Sequence, residues 1–165
     1  MTAAEAFDRA RLLAARGDPQ GALRAIDEVL RAEPGHLGAL LLEAQLHLDD
    51  RDGEEALRLY ERAVGMAPRS SEAWNALARC RHALGHDDVA LQAAETARSL
   101  LGEGDNARQV APVYLTLVWC LREKRLFREA LDVAEEGLAR IPDAILAQWA
   151  ATVEEELAEA EKEGC

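Results

Sequence analysis

The side chains best suited to chemistry gather in one short stretch: His82, His86, Asp87 and Asp88. Imidazoles and carboxylates this close together could ligate a transition metal or relay a proton. His82 and His86 stand four apart, yet Gly85 lies between them at a helix end, so a shared helical face is not expected. The stretch reads instead as a polar turn between two helices, with Asp87 or Asp88 as N-cap. His36 and His47 have no companions, and no G-x-S-x-G, phosphate-loop or H-E-x-x-H pattern occurs. Paired acids such as Asp49-Asp50 and Glu54-Glu55 fall in a turn and at a helix start, where the helix dipole favours negative charge. No catalytic residue, metal ligand or cofactor is assigned, and the chain is not expected to be an enzyme.

Three cysteines are an odd number without metal-ligand spacing, and fit a reducing cytosol better than a disulfide framework. Cys80 and Cys120 occupy equivalent places in neighbouring helices, about 8–10 Å apart in such packing and beyond disulfide reach. They read as small buried hydrophobes. Cys165 is expected to be exposed, without the following residues that a prenylation motif needs.

The elements that would position these groups are repeated. Ala22, Ala56 and Ala90 stand 34 residues apart and Ala130 follows 40 later, each trailed by a leucine, with Pro34, Pro68 and Pro142 behind them. A fixed period of this size means one supersecondary unit used several times. Thr2 and Glu5 form a capping box for a first helix that runs to about residue 16. Gly17-Asp18-Pro19 makes a turn into a second helix ending near Ala32, with Asp18 as N-cap and Pro19 in the first turn. The same events predict helices near 37–49 and 53–66, 71–84 and 87–100, then 111–124 and 127–140. No stretch alternates with period two, so no strand is predicted. From Asp143 a final helix carries a stripe of Ile145, Trp149, Val153 and Leu157 and about half of the net charge. It is expected to act as a solubilising cap.

These residues resemble the tetratricopeptide repeat family, whose signature runs W-x2-L-G-x2-Y, A-x3-F, P. Trp74-x2-Leu77-Ala78 matches its start, Ala56-x3-Tyr60 with Pro68 its middle and end, and Tyr114-x2-Leu117 with Ala130 and Pro142 a further copy. The first copy reads Ala10, Leu13, Gly17, Ala22, Ile26 and Pro34. His47 and Arg81 stand where the family has large apolar groups, and Gly102 replaces a proline and opens a six-residue insertion. The resemblance implies an all-α, right-handed α-solenoid of four helix pairs plus a C-terminal capping helix. The resemblance itself covers about residues 3–142 of a single domain expected over 1–165, with repeats at about 3–36, 37–70, 71–104 and 111–142 and the cap at about 143–162. Small residues at Ala10, Ala44 and Ala78 would cross the alanines of each second helix, beside the larger Leu40, Trp74 and Tyr114.

The resemblance also implies a non-catalytic protein-binding module, with first helices lining a concave groove. By register the lining is Phe7 and Arg11; Leu41, Gln45 and Leu48; Asn75, Arg79 and His82; Leu115, Trp119 and Arg122. The helices at 37–48 and 113–121 are apolar on more than one face, so something must cover them. Leu115 and Trp119 either line the groove or pack under the C-terminal helix. Arg11, Arg79 and Arg122 would form a positive lining in a chain of net charge −12, suited to an acidic peptide or helix of another protein with apolar anchors. The family's carboxylate clamp is missing, because the matching places hold Phe7, Arg11, Leu42, Glu72 and Ala76.

Composition narrows the partners. An acidic chain without clustered Lys and Arg does not suit nucleic acid or an anionic membrane surface. No run reaches the roughly 18 apolar residues that span a bilayer, and the N-terminus shows no signal-peptide h-region. A cytoplasmic adaptor or scaffold is expected, with an export-type chaperone or a homodimeric assembly unit as alternatives. Ala-, Arg- and Leu-rich usage hints at a GC-rich bacterial genome.

Overall fold

A computed structural model describes residues 2–163. Among them are nine helices and no strand. Cys165, expected to be exposed, lies outside the described residues. The helices fall into two compact units, Met1–Arg69 and Ser70–Cys165.

The first unit holds α1 (Ala3–Ala15), α2 (Pro19–Ala32), α3 (Leu37–Asp49) and α4 (Gly53–Met66). Each start is fixed locally. Thr2 and Glu5 close the expected capping box, Asp18 accepts from the Gly21 amide at 2.8 Å, and Asp52 caps α4. His36 caps α3 through Nδ1, which accepts from the Ala39 amide at 3.1 Å. Helix α1 packs on α2 and α3 on α4, while α3 also meets α2 and α1. Ala10, Ala22, Ala44 and Ala56 are completely buried, as the small-residue crossings require, and Leu40 fills the space beside them.

The second unit holds α5 (Ser71–Ala83), α6 (Asp87–Ser99), α7 (Ala107–Glu123), α8 (Phe127–Arg140) and α9 (Ala144–Glu163). Its core joins Ala78, Ala94, Tyr114, Leu117, Ala130, Val133, Leu146 and Val153. Three local expectations are corrected here. Neither Asp87 nor Asp88 is the cap of α6: His86 holds that place without a side-chain bond, and the two acids form the first turn. Helix α7 starts four residues before the expected 111, because Asn106 and Gln109 form a capping box and Pro112 is carried inside the helix. The buried stripe of α9 begins at Leu146, fully buried, while Ile145 is 57% exposed. A strict four-residue spacing drifts off one face of a helix with 3.6 residues per turn, and Leu146 compensates.

All four pairs turn in the same way. Gly17, Arg51, Gly85 and Arg125 have φ between 58° and 77°. The next residue's amide reaches back five residues each time: Asp18 to Leu13, Asp52 to His47, His86 to Arg81 and Leu126 to Leu121, at 2.8–3.0 Å. This is the Schellman close of a helix, in which a left-handed residue lets the last carbonyls find donors.

Candidate functional site

In the first unit the first helices of the pairs, α1 and α3, carry the candidate residues. Phe7 is half-buried, its ring 4.6 Å from that of His36 and lying against Gly38, where a Cβ would come within 2.8 Å of Cζ. Gly38 thus lets α3 approach the aromatic ring closely. Arg11 is exposed, 3.9 Å from Asp8. It lines an open concavity of about 680 Å³ with Asp8, Leu12, Ala15 and Leu42. Leu41 and Leu48 are half-buried. Gln45 spans inward and outward, accepting from the Tyr60 hydroxyl at 3.3 Å and donating to Asp49 at 2.7 Å.

In the second unit α5 and α7 carry the rest. His82 Nδ1 lies 2.7 Å from Asp87 Oδ1, and its ring meets Trp119 edge-on with centroids 4.0 Å apart. Arg79 is exposed and pairs with no carboxylate among the described residues. Asn75 is 6% exposed, and its Oδ1 has no hydrogen-bond partner among the described residues. Leu115 is half-buried against the core of the unit.

Arg122 is committed within the unit. Its Nε donates to both oxygens of Glu156 at 2.7 and 2.9 Å, and its guanidinium lies 5.3 Å from the centre of the Trp149 ring. The structure therefore brings carboxylates to two of the three arginines, Asp8 to Arg11 and Glu156 to Arg122. Glu156 stands 34 residues after Arg122, so the period itself pairs their register places on successive first helices. Leu12 and Leu42 also went unassigned: Leu42 belongs to a run of three leucines, but nothing in sequence marks Leu12.

No group of three or more His, Cys, Asp and Glu is placed to hold a metal ion among the described residues. Cys80 and Cys120 are buried, and neither forms a disulfide among the described residues. Burial pushes the Cys120 thiol up to about 11, with the charge of Asp87 acting in the same direction. No described helix is long and apolar enough to cross a membrane.

Paired helices repeating at a near-constant period, with buried alanines at each crossing, define an α-helical repeat protein. The sequence profile of the tetratricopeptide repeat matches residues 13–80 and 47–100, and the chain belongs to that family. Solved structures of similar fold include a thermophilic TPR protein, TTC0263, of Thermus thermophilus. It is 20% identical, with 98% of this chain and 89% of that one covered and a TM-score of 0.76. MamA is 20% identical over 97% and 85% of the two chains, with a TM-score of 0.72. YrrB, described as a TPR protein with an unusual peptide-binding site, is 18% identical over 92% and 76%, with a TM-score of 0.66. No curated protein matches the sequence.

Proposed function

We propose that this chain is a non-catalytic adaptor that takes a helix or extended segment of another protein onto the first helices of its repeats. The observation that carries this reading is the open concavity beside α1 and α3, with apolar walls from Leu12 and Leu42 and a cation at Arg11. Half-buried Leu41, Leu48, Leu115 and Trp119 add apolar surface at the matching register places. Fold likeness to YrrB, whose description names a peptide-binding site, agrees with it. The reading treats residues 1–165 as a single domain. Its support is the 34-residue period, which runs unbroken from Ala56 to Ala90, and the family match over 47–100. A cytoplasmic setting fits two buried cysteines, Cys80 and Cys120, that are outside any disulfide among the described residues.

Arg79 is the groove cation best placed to meet a ligand's carboxylate, since Arg11 and Arg122 already face Asp8 and Glu156. Exposed charges are screened as ionic strength rises, so binding through Arg79 should weaken with salt. The test is a peptide array of acidic segments with apolar anchors, probed with three forms of the full chain. These are the wild type, Leu41→Glu/Trp119→Glu with its helicity checked by circular dichroism, and the fully surface change Arg79→Glu. Peptides held by the wild type and lost from both variants support groove binding. Equal retention by all three refutes it.

A further inference from the structure

The first unit has a second concavity, away from the positions assigned to the groove. It is a cavity of about 420 Å³ between the α1–α2 turn and the α3–α4 turn. Leu23 and Leu46 contribute its apolar lining, and Asp49, Asp50 and Asp52 stand around it. No lysine or arginine lines it. Two of the three carboxylates already have neutral or weakly basic partners. Asp49 accepts from Gln45 at 2.7 Å, and Asp52 caps α4 with its other oxygen 3.4 Å from His47 Nδ1. Asp50 is exposed and has no side-chain partner among the described residues.

The repeat supplies an internal comparison. The register places of Gln20 and Asp50 return in the second unit as Asp88 and Lys124. There the corresponding turns are joined by an ion pair, with Lys124 Nζ donating to Asp88 Oδ1. That hydrogen bond holds the Asp88 carboxyl below its usual range and the Lys124 ammonium above its own. In the first unit the place that supplies the ammonium carries an aspartate instead. The first-unit cleft has an apolar floor, an aspartate in the cation's place and a neutral Gln20 in the carboxylate's.

We propose that this cleft accepts a lysine or arginine side chain of a partner protein. The charged head would sit among Asp49, Asp50 and Asp52, and the methylene stem would lie on Leu23 and Leu46. Long basic side chains combine an apolar stem with a charged end, and this cleft offers both surfaces in that order. A carboxylate cluster over an apolar floor also favours a guanidinium, which is weakly hydrated and presents a planar fork of N–H donors to carboxylate oxygens. The site is independent of the groove reading and uses none of its residues.

The test is a titration of the full chain with N-acetyl-arginine methylamide, followed by the backbone amide resonances of Gly17, Leu46, Arg51 and Gly53. The matched neutral probe is N-acetyl-citrulline methylamide. The expected result is saturable shifts at these amides with the arginine probe and affinity several-fold weaker with citrulline. Asp49→Asn/Asp50→Asn should weaken arginine binding about three- to tenfold, as expected for losing two exposed charge pairs. These two positions leave the Asp52 cap of α4 untouched. Gln20→Asp/Asp50→Lys writes the pair of the second unit into the first and should remove saturable binding. Equal affinity for the two probes, unchanged affinity in both variants, or no saturable shift overturns the proposal. So does calcium alone saturating the same amides at lower concentration than the arginine probe, which would make this a metal site.

Discussion

Gly137 in α8 has little room for any side chain. A Cβ built on it would lie 2.7 Å from Leu146 Cδ2 and 2.8 Å from Tyr114 Cγ and Cδ1. Comfortable carbon–carbon contact is about 3.5–4.0 Å, so the deficit is close to 1 Å. Leu146 Cδ2 is the end of a flexible chain and can yield. Tyr114 cannot, because it is wholly buried and its hydroxyl is held 2.6 Å from Glu136 Oε1. Two effects of Gly137→Ala oppose each other. Alanine favours the helix over glycine by about 1 kcal/mol, whereas overpacking a well-filled core costs about 1–3 kcal/mol. Overpacking should win, with a net loss near 1 kcal/mol. Gly65 in α4 is the control: it is exposed and nothing lies within 4 Å of its Cβ position. Gly65→Ala should therefore gain about 0.5–1 kcal/mol. Urea unfolding followed by circular dichroism reads both, and in heating scans a 1 kcal/mol change moves the midpoint about 2–4 °C for a chain of this size. If Gly137→Ala stabilises as much as Gly65→Ala, the contact between α8, Tyr114 and Leu146 is looser than described here, and the reasoning fails.

Two further outcomes are expected. Glu156→Gln should weaken the charge-assisted bonds from Arg122, two side chains only 29% and 26% exposed, and cost about 1 kcal/mol. Amide exchange at Trp149 and Val153 should then speed up about fivefold, and unchanged protection of α9 would contradict the role given to the pair. Cys120 should resist thiol reagents at pH 8 in the native chain. Its pKa rises from an ordinary 9.0 to about 11 because the buried site disfavours the thiolate. Below pH 9 native and unfolded chains both keep the proton, so stability is unaffected by this group. As pH rises from 9 towards 11 only the unfolded chain loses it, and stability falls by up to about 1.4 kcal/mol per pH unit. Cys120→Ala should remove that part of the slope in urea midpoints measured at several pH values.

Much of the architecture was legible because helix crossings demand small residues at a fixed interval. Ala10, Ala22, Ala44, Ala56, Ala78 and Ala90 satisfy that demand without exception, and all are fully buried. Signals at helix ends were harder where two competed. Pro112 reads as a start, yet the box formed by Asn106 and Gln109 sets the earlier boundary, and the helix carries the proline in its second turn at the cost of one backbone hydrogen bond. The phase of α9 was misjudged by one residue because two apolar groups, Ile145 and Leu146, stand side by side and only the packed face distinguishes them. Among the candidate site residues, register placed Arg11, Arg79 and Arg122 on first helices but said nothing of Asp8 or Glu156 beside them. Asp8 stands three residues before Arg11 on the same helix, a spacing that makes the two side chains neighbours and could have been read locally, whereas Glu156 reaches Arg122 from another helix. The period would have disclosed Glu156 had it been carried one unit further.

The repeated crossings bear on how the chain finds its fold. Every second helix offers a first helix the same small residue at Ala22, Ala56 or Ala90, and the pairs differ only in the residues beside it, such as Ile26, Tyr60 and Ala94. Correct pairing is favoured as well by the short turns at Gly17, Arg51 and Gly85, which keep the proper neighbour at a higher effective concentration than any rival. The connection between α6 and α7, residues 100–106, is the longest between consecutive helices and relaxes that advantage. Lengthening a connection from three residues to seven costs less than about 1 kcal/mol of closure entropy, so α7 still meets α6 of its own chain far more readily than a rival, and the insertion is tolerated here.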